Sequence, residues 1–189
     1  MDIVSTQQPK RIHPHKFTLW VGIGSIVMMF AGLTSAYIVK SSQAGWRDIK
    51  MPVTFWYSTA AIIVSSLTMQ WALRSFKERE MNRYRVLMAI TALLGITFVA
   101  LQYTAFMQLW NSGVQFKGAS GAGQFVYVIA GLHGLHVAGG VIALLVMVLK
   151  AYFGSVKNYN SIPVEVVSTY WHFVDILWVY LLVFFLWIG

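Results

Sequence analysis

Five long runs of apolar residues, separated by short polar segments, make up most of the chain. They extend over about residues 17–39, 53–73, 86–110, 125–149 and 164–188. About 20 apolar residues are enough for a helix to cross the hydrocarbon core of a bilayer. The pattern therefore predicts an all-α integral membrane protein, in which residues 17–189 form one bundle of five transmembrane helices.

The composition agrees with a membrane protein that has several spans. Hydrophobic residues make up 58% of the chain and charged residues only 11%, and the mean hydropathy is +0.64. These values are not those of a soluble domain. The chain has no cysteine, which excludes disulfides and thiolate metal sites. The net charge of +8 comes from Lys and Arg at the ends of the apolar runs, so no nucleic-acid partner is expected.

The distribution of Lys and Arg predicts the orientation of the bundle. The N-terminal segment and the second and fourth loops carry ten of these residues, whereas the first and third loops carry four. Because cytoplasmic segments are enriched in Lys and Arg, the N-terminus is expected in the cytoplasm and the C-terminus outside. Residues 1–16 are then a basic cytoplasmic tail. It lacks the apolar core of a cleavable signal peptide, so the first helix is expected to act as the targeting signal.

Ionisable residues lie deep inside two of the apolar runs. His133 and His136 are three residues apart in the fourth run, and His172 and Asp175 have the same spacing in the fifth. Residues three apart share a helix face, and a carboxylate at this depth costs about 2.5–3.5 kcal/mol on insertion scales. His136 and Asp175 would lie about 20 Å and about 16 Å from the inner ends of their helices. The sequence therefore predicts a hydrogen bond between them, with the two helices as antiparallel neighbours.

Several roles fit these groups. They can form a polar lock that fixes helix packing, bind lipid head groups, or shape a proton path. A metal site made from the four residues is chemically permissible, although their spacing does not require one. Two histidines on one face of a helix cannot ligate both faces of a haem. Glu165, in the first turn of the fifth helix, suits the positive helix N-terminus, and the Trp and Tyr residues fit interfacial anchors. The candidate residues for a polar lock or lipid site are His133, His136, Glu165, Trp171, His172 and Asp175.

Two motifs resemble those of subunit III of haem–copper terminal oxidases. Tyr127–Val137, followed by Gly140, resembles the TGxHGxHV helix of that family, and Glu165, Tyr170–Asp175 and Trp178 resemble its final helix, E…YWHFVDxxW. The motifs occur in the family's order and at its separation. The five predicted helices are similar to the short bacterial form of the family, which lacks two N-terminal helices.

The resemblance implies a subunit without catalytic, metal or cofactor residues of its own in the bacterial inner membrane. Haem and copper are expected in partner subunits, and the expected partners are oxidase subunits I and II, a small subunit IV, other respiratory complexes and phospholipid. In the family this subunit stabilises subunit I in a proton-pumping cytochrome c oxidase. Help with proton uptake and with the passage of oxygen stays open as a further role.

Three positions depart from the family pattern. Ile26 stands where the first of these helices commonly carries an acidic residue, Ala105 where the middle helix often has Glu, and Ala130 where Thr is frequent. A role of the first helix in proton collection is therefore not expected. The sequence leaves two alternatives open: the equivalent subunit of a quinol oxidase or nitric oxide reductase, and a small proton-coupled transporter. A transporter would usually show an internal repeat and a broken helix, and neither is visible.

Overall fold

The computed structural model of the protein describes residues 14–42, 51–113, 121–153 and 161–188. These residues form five α-helices: α1 (Pro14–Ser41), α2 (Thr54–Lys77), α3 (Met81–Asn111), α4 (Gly121–Phe153) and α5 (Ile162–Ile188). The predicted all-helical fold is confirmed for the described residues, and all five predicted helices are found. Helix α1 begins at Pro14, so it includes the last three residues of the predicted tail of residues 1–16. The rest of the tail lies outside the described residues.

Four of the helices in the described ranges are long and apolar enough to cross a membrane. They are α1 from Lys16 to Ser41, α3, α4 from Gly123 to Phe153, and α5. The second helix has the length but is less apolar, since Ser, Thr and Gln recur along it. Sequence and structure thus agree on a multi-pass membrane protein. They differ in the number of candidate spans, because α2 is not among the four helices that meet the criteria of length and hydropathy.

Helix α5 is the central element of the bundle. It packs against α1, α2 and α4, while α3 closes the far side by packing against α2 and α4. Lys16 meets Glu165 at one end of α1 and α5, and Thr34 meets Tyr180 further along, so these two helices are parallel. Neighbours α4 and α5 are antiparallel, as predicted, because the Tyr170 hydroxyl bonds to the backbone oxygen of His136, whereas Trp178, further along α5, stacks on His133, which comes earlier in α4.

Two apolar clusters hold the bundle together. The first lies between α2, α3, α4 and α5 and contains the fully buried Trp171 and Trp178. The second lies between α1, α4, α5 and the end of α3, and it contains Phe30, Leu109 and Leu181. Large apolar side chains also cover the outside, including Met28, Leu135 and Trp187, which are 78%, 70% and 85% exposed. A soluble monomer rarely exposes so much contiguous apolar surface, so this exterior suits lipid or neighbouring membrane helices.

Candidate functional site

The fourth-helix histidines contact aromatic rings rather than the fifth-helix carboxylate. His133 is buried and stacks on Trp178, with ring centroids 5.2 Å apart and an interplanar angle of 24°. The rings of Phe30 and Phe98 approach it edge-on at 6.4 and 6.3 Å. Neither ring nitrogen of His133 has a hydrogen-bond partner among the described residues. The imidazole therefore serves as an aromatic packing element in this arrangement.

His136 bonds to its own helix. Its Nδ1 donates to the backbone oxygen of Leu132 at 2.7 Å, and its backbone oxygen accepts a bond from the Tyr170 hydroxyl at 3.0 Å. The predicted hydrogen bond between His136 and Asp175 is not formed, since the Asp175 carboxyl oxygens have no partner in the described ranges. The reason is the rotation of α5, which presents Tyr170 and Trp178 to α4 and directs Asp175 toward α2.

His172 joins α5 to α2. Its Nδ1 lies 2.6 Å from Ser66 Oγ and its Nε2 lies 3.2 Å from Gln70 Oε1. Asp175, only 4% exposed, lines a cavity together with Ser66. The fifth-helix pair thus faces one neighbouring helix, as its spacing predicted, but that neighbour is α2 rather than α4.

Trp171 sits where four helices meet. Its indole Nε1 donates to Ser65 Oγ on α2 at 3.0 Å. A methyl group in place of a Gly95 hydrogen on α3 would lie 2.8 Å from ring carbon Cη2, and one at Gly140 on α4 would lie 3.0 Å from Cε3. Trp171 is therefore an internal packing residue and not an interfacial anchor, and the two glycines make room for its ring.

Glu165 binds lysines from two other helices. Its carboxylate oxygens lie 2.6 Å from Nζ of Lys16 on α1 and 3.2 Å from Nζ of Lys77 on α2. The three residues join α1, α2 and α5 at the end of the bundle where α5 begins. The sequence indicated the helix-end position of Glu165 but not these two partners.

The structure also adds residues that the sequence analysis did not single out as site residues. They are the α2 partners of α5, namely Thr59, Ser65, Ser66 and Gln70, and the two lysines at Glu165. The signal for the α2 residues is the recurrence of small hydroxyl side chains along an otherwise apolar helix, because such groups bond across helix interfaces. Within the described ranges, no three or more His, Cys, Asp or Glu side chains are grouped so that they could hold a metal ion.

Comparison with known proteins agrees with the two motifs. The family model described as cytochrome c oxidase subunit III matches residues 15–189. The chain is 30% identical over 167 residues to cytochrome c oxidase subunit 3 of Bacillus sp. strain PS3, covering 86% of this chain and 80% of the relative. It is 32% identical over 184 residues to the probable cytochrome c oxidase subunit 3 of Nocardia farcinica, covering 90% and 89%.

A relative named for a different electron donor is also similar. The probable quinol oxidase subunit 3 of Staphylococcus epidermidis is 29% identical over 172 residues, covering 88% of this chain and 85% of the relative. The matched region includes all five helices and every candidate residue from His133 to Asp175. The chain therefore belongs to the cytochrome c oxidase subunit III family.

Proposed function

We propose that this chain is the accessory third subunit of a proton-pumping cytochrome c oxidase in the bacterial cytoplasmic membrane. The observation that carries the proposal is the family match over residues 15–189. The deep polar residues support a role in packing, because His133 and Trp171 are used between helices of the chain itself. In this proposal haem and copper reside in subunits I and II, and this chain transfers no electrons.

The proposed contribution to the complex is mechanical. Glu165, Trp171 and His172 bond α5 to α1 and α2, so that the helices keep their relative positions. Interhelical hydrogen bonds in membranes contribute about 0.6 kcal/mol each on average. Several such bonds along one central helix give the bundle a defined outer surface, against which the catalytic subunits pack and are stabilised.

Purification of the complex through this chain tests the proposal. In mild detergent, a tagged chain should retain partner subunits with haem absorbance, and the tagged chain alone should show no oxidase activity. A chain that is recovered by itself from mildly solubilised native membranes, without haem in the eluate, would contradict the assignment. An isolated chain that carries a porphyrin or metal would contradict the accessory role.

A quinol-using complex is the second candidate, because the Staphylococcus epidermidis relative bears that name. The same purified complex distinguishes the two. Oxidation of reduced cytochrome c with oxygen uptake supports the first proposal, whereas oxygen uptake driven only by a quinol supports the second. Either result leaves the subunit III assignment intact.

We also propose that phospholipid binds between α1 and α5. A cavity of about 660 Å³ lies there, lined mainly by apolar side chains including Ile26, Val166 and Val167, with Gly22 on its α1 side. The pair Lys16 and Glu165 stands next to it, since Val166 also lines the small pocket around those charges. A phospholipid that places an acyl chain in the cavity and its phosphate near Lys16 matches both the apolar lining and the charged residue beside it. The apolar Ile26 at the position where the family commonly has an acid suits this occupant.

Two glycine substitutions test the lipid site. Gly22→Trp should fill the cavity and lower the amount of phospholipid that copurifies with the complex. Gly24→Trp is the matched control, because Gly24 has nothing within 4 Å of an added methyl group and does not line the cavity. Equal lipid content in the two variants would argue against a site between α1 and α5.

Finally, we propose that α2 spans the membrane as the fifth transmembrane helix. It packs between α3 and α5 and contacts both along its length, from Ser58 at Gln102 to Lys77 at Glu165. Its hydroxyl groups bond within the bundle, for example Thr68 to Thr91 at 2.8 Å. Polar groups satisfied inside the protein do not prevent a helix from lying at membrane depth. With five spans, the two chain ends lie on opposite sides, with the N-terminus in the cytoplasm.

A further inference from the structure

A groove runs along the outside of the bundle between α1 and α2. Both helices pack against α5, and in the described ranges they do not pack against each other. The floor of the groove is a stripe of α5 formed by Ile176, Tyr180 and Val183, which are 69%, 47% and 55% exposed. The Tyr180 hydroxyl reaches Thr34 on α1 at 3.2 Å, which places this stripe between the two walls. We call it the α1/α2 groove.

A cavity of about 430 Å³ opens into this groove between α2 and α5. Its lining residues are Ile63, Ser66, Leu67, Asp175, Ile176, Val179 and Tyr180. A water molecule occupies about 30 Å³ in the liquid, so the cavity has room for a side chain from another molecule. Most of the lining is apolar, and Asp175 is its one carboxylic acid.

Asp175 is the group that requires an occupant. It is the middle residue of the 27-residue helix α5, it is 96% buried, as its 4% exposure shows, and neither carboxyl oxygen has a hydrogen-bond partner in the described part of the chain. A buried polar group without a partner is costly in a bilayer, where no bulk water replaces the missing bond. Ionisable residues at this depth usually pair with another group.

The nearby donors within the chain are committed elsewhere. Gln70 Oε1 can only accept, so the neutral His172 ring carries its hydrogen on Nε2 and accepts at Nδ1. Ser66 therefore donates its hydroxyl hydrogen to His172, not to Asp175.

Tyr180 is committed in the same way. Thr34 gives its own hydroxyl hydrogen to the backbone oxygen of Phe30 at 2.9 Å. Tyr180 must then be the donor in the bond between the two hydroxyls, so its hydrogen points to α1 and away from the cavity. Among the described residues that line the cavity, no hydroxyl hydrogen is therefore left for Asp175.

We propose that a transmembrane helix of another subunit lies in the α1/α2 groove and places a hydrogen-bond donor side chain in the cavity, bonded to Asp175. The apolar stripe of α5 provides the packing surface, and the unpaired carboxyl group provides the complementary polar contact. A lipid chain fills an apolar groove but brings no donor to this depth. The inference rests on the proposed function, because the donor helix comes from the same membrane complex.

Photo-cross-linking in native membranes tests this proposal. The chain has no cysteine, so Val183→Cys can carry a single benzophenone on the stripe without occupying the cavity, which Val183 does not line. Leu135→Cys on α4, where Leu135 is 70% exposed, is the control probe. The Val183 probe should form an adduct with a different subunit. Asp175→Leu should lower the yield of that adduct about tenfold or more, since a desolvated donor then has no partner.

Two further variants test whether the carboxyl group of Asp175 is the cause of the lower adduct yield. Asp175→Asn, which keeps one acceptor oxygen, should have an intermediate effect, and Thr97→Val should leave the yield unchanged because the Thr97 hydroxyl bonds within α3 and Thr97 does not line the cavity. Adducts from the Leu135 probe should not respond to any of these variants.

The proposal fails if the Val183 probe labels only lipid or a second copy of this chain. It also fails if Asp175→Leu leaves the adduct yield unchanged. Haem absorbance and the subunit composition of the same preparations are measured in parallel. A complex that keeps its haem subunits while the groove forms no adduct would overturn this inference and leave the proposed function standing.

Discussion

Trp171 shows how single residues set the distance between helices. The indole ring lies against Gly95 of α3 on one edge and Gly140 of α4 on another, and its N–H is bonded to Ser65 of α2. A larger side chain at either glycine would therefore meet the Trp171 ring.

Gly95→Ala is expected to destabilise the protein. The new methyl group would lie 2.8 Å from Trp171 Cη2, and overpacking of this kind costs about 1–3 kcal/mol. The measurement is the free energy of unfolding in mixed detergent micelles. Gly139→Ala is the control, because its methyl group would meet nothing within 4 Å and alanine favours a helix over glycine by about 0.5–1 kcal/mol. Equal stability of the two variants would show that the Trp171 ring can relax.

The Trp178 indole, like that of Trp171, donates a hydrogen bond to one hydroxyl group of α2. Its Nε1 donates to Thr59 Oγ1 at 2.9 Å. Thr59→Val keeps the shape of the side chain and removes the acceptor, so it should cost about 0.6 to about 1.7 kcal/mol in the same unfolding measurement. Thr97→Val is the control, since the Thr97 hydroxyl bonds to Leu93 within its own helix and is exposed. A loss of stability in the control as large as in Thr59→Val would contradict this reasoning.

Among the helices, α2 is the one whose role the sequence showed least clearly. Its length and position predicted a helix, and Ser and Thr hydroxyls in an apolar helix can bond back to the helix or across to a neighbour. Both kinds occur: Ser58 bonds back to Phe55, whereas Ser65 and Ser66 bond to α5. The sequence could not decide between them, because the choice depends on which neighbour faces each position.

The rotation of α5 explains the failed prediction of the His136–Asp175 bond. The sequence correctly placed both residues in adjacent antiparallel helices. An α-helix that is apolar on every side carries no amphipathic pattern to indicate which face meets which neighbour. In the structure the two large indoles, Trp171 and Trp178, occupy the interior, and this packing leaves Asp175 on the side of α2.

Glu165 connects α5 to α1 and α2 at one end of the bundle, so its removal should weaken the packing of all three helices. Glu165→Gln is expected to lower the free energy of unfolding by about 1 kcal/mol, with a smaller effect at high salt. The estimate is low because Lys16 and Lys77 are 43% and 54% exposed, and exposed ion pairs contribute about 0–1 kcal/mol each. A salt titration of the unfolding free energy provides the measurement.

Glu80→Gln is the control for the Glu165 prediction. Glu80 pairs with Arg83 three residues along the same helix region, at 2.8 Å and with both side chains largely exposed. This ion pair does not connect two helices of the bundle. The free energy of unfolding of Glu80→Gln should therefore stay within about 0.5 kcal/mol of that of the original protein. An equal loss of stability in both variants would mean that the ion pairs of Glu165 with α1 and α2 stabilise the protein no more than a local surface pair does.

At the scale of the molecule, the described helices alternate in direction through the bundle. The later ends of α2 and α4 lie beside the early parts of α1, α3 and α5, as the contacts Lys77–Glu165 and Arg85 Nε to Ala151 show. The sequence predicted this arrangement from five similar runs and the uneven distribution of Lys and Arg. Helix α2 contacts α3 and α5 from one end to the other, which supports the proposal that it crosses the membrane beside them.

Site-specific labelling of the whole molecule tests this alternation. Because the chain lacks cysteine, Glu78→Cys after α2 and Ser112→Cys after α3 each introduce one exposed thiol. A membrane-impermeant maleimide should label Glu78→Cys only in inverted vesicles, since ten of the fourteen Lys and Arg residues lie on that side, which predicts that it faces the cytoplasm. It should label Ser112→Cys only in right-side-out vesicles.

Val53→Cys before α2 decides whether that helix crosses the bilayer. Val53 is 66% exposed, and a spanning α2 puts it on the side of Ser112 and opposite Glu78. Labelling of Val53→Cys and Glu78→Cys from the same side would mean that α2 does not cross. The hydroxyl and amide groups of α2 would then be near water. Their bonds to Trp171, His172 and Trp178 would not be required to stabilise a polar helix inside the membrane. Labelling from opposite sides would show that α2 crosses the membrane within the bundle although Ser, Thr and Gln recur along it.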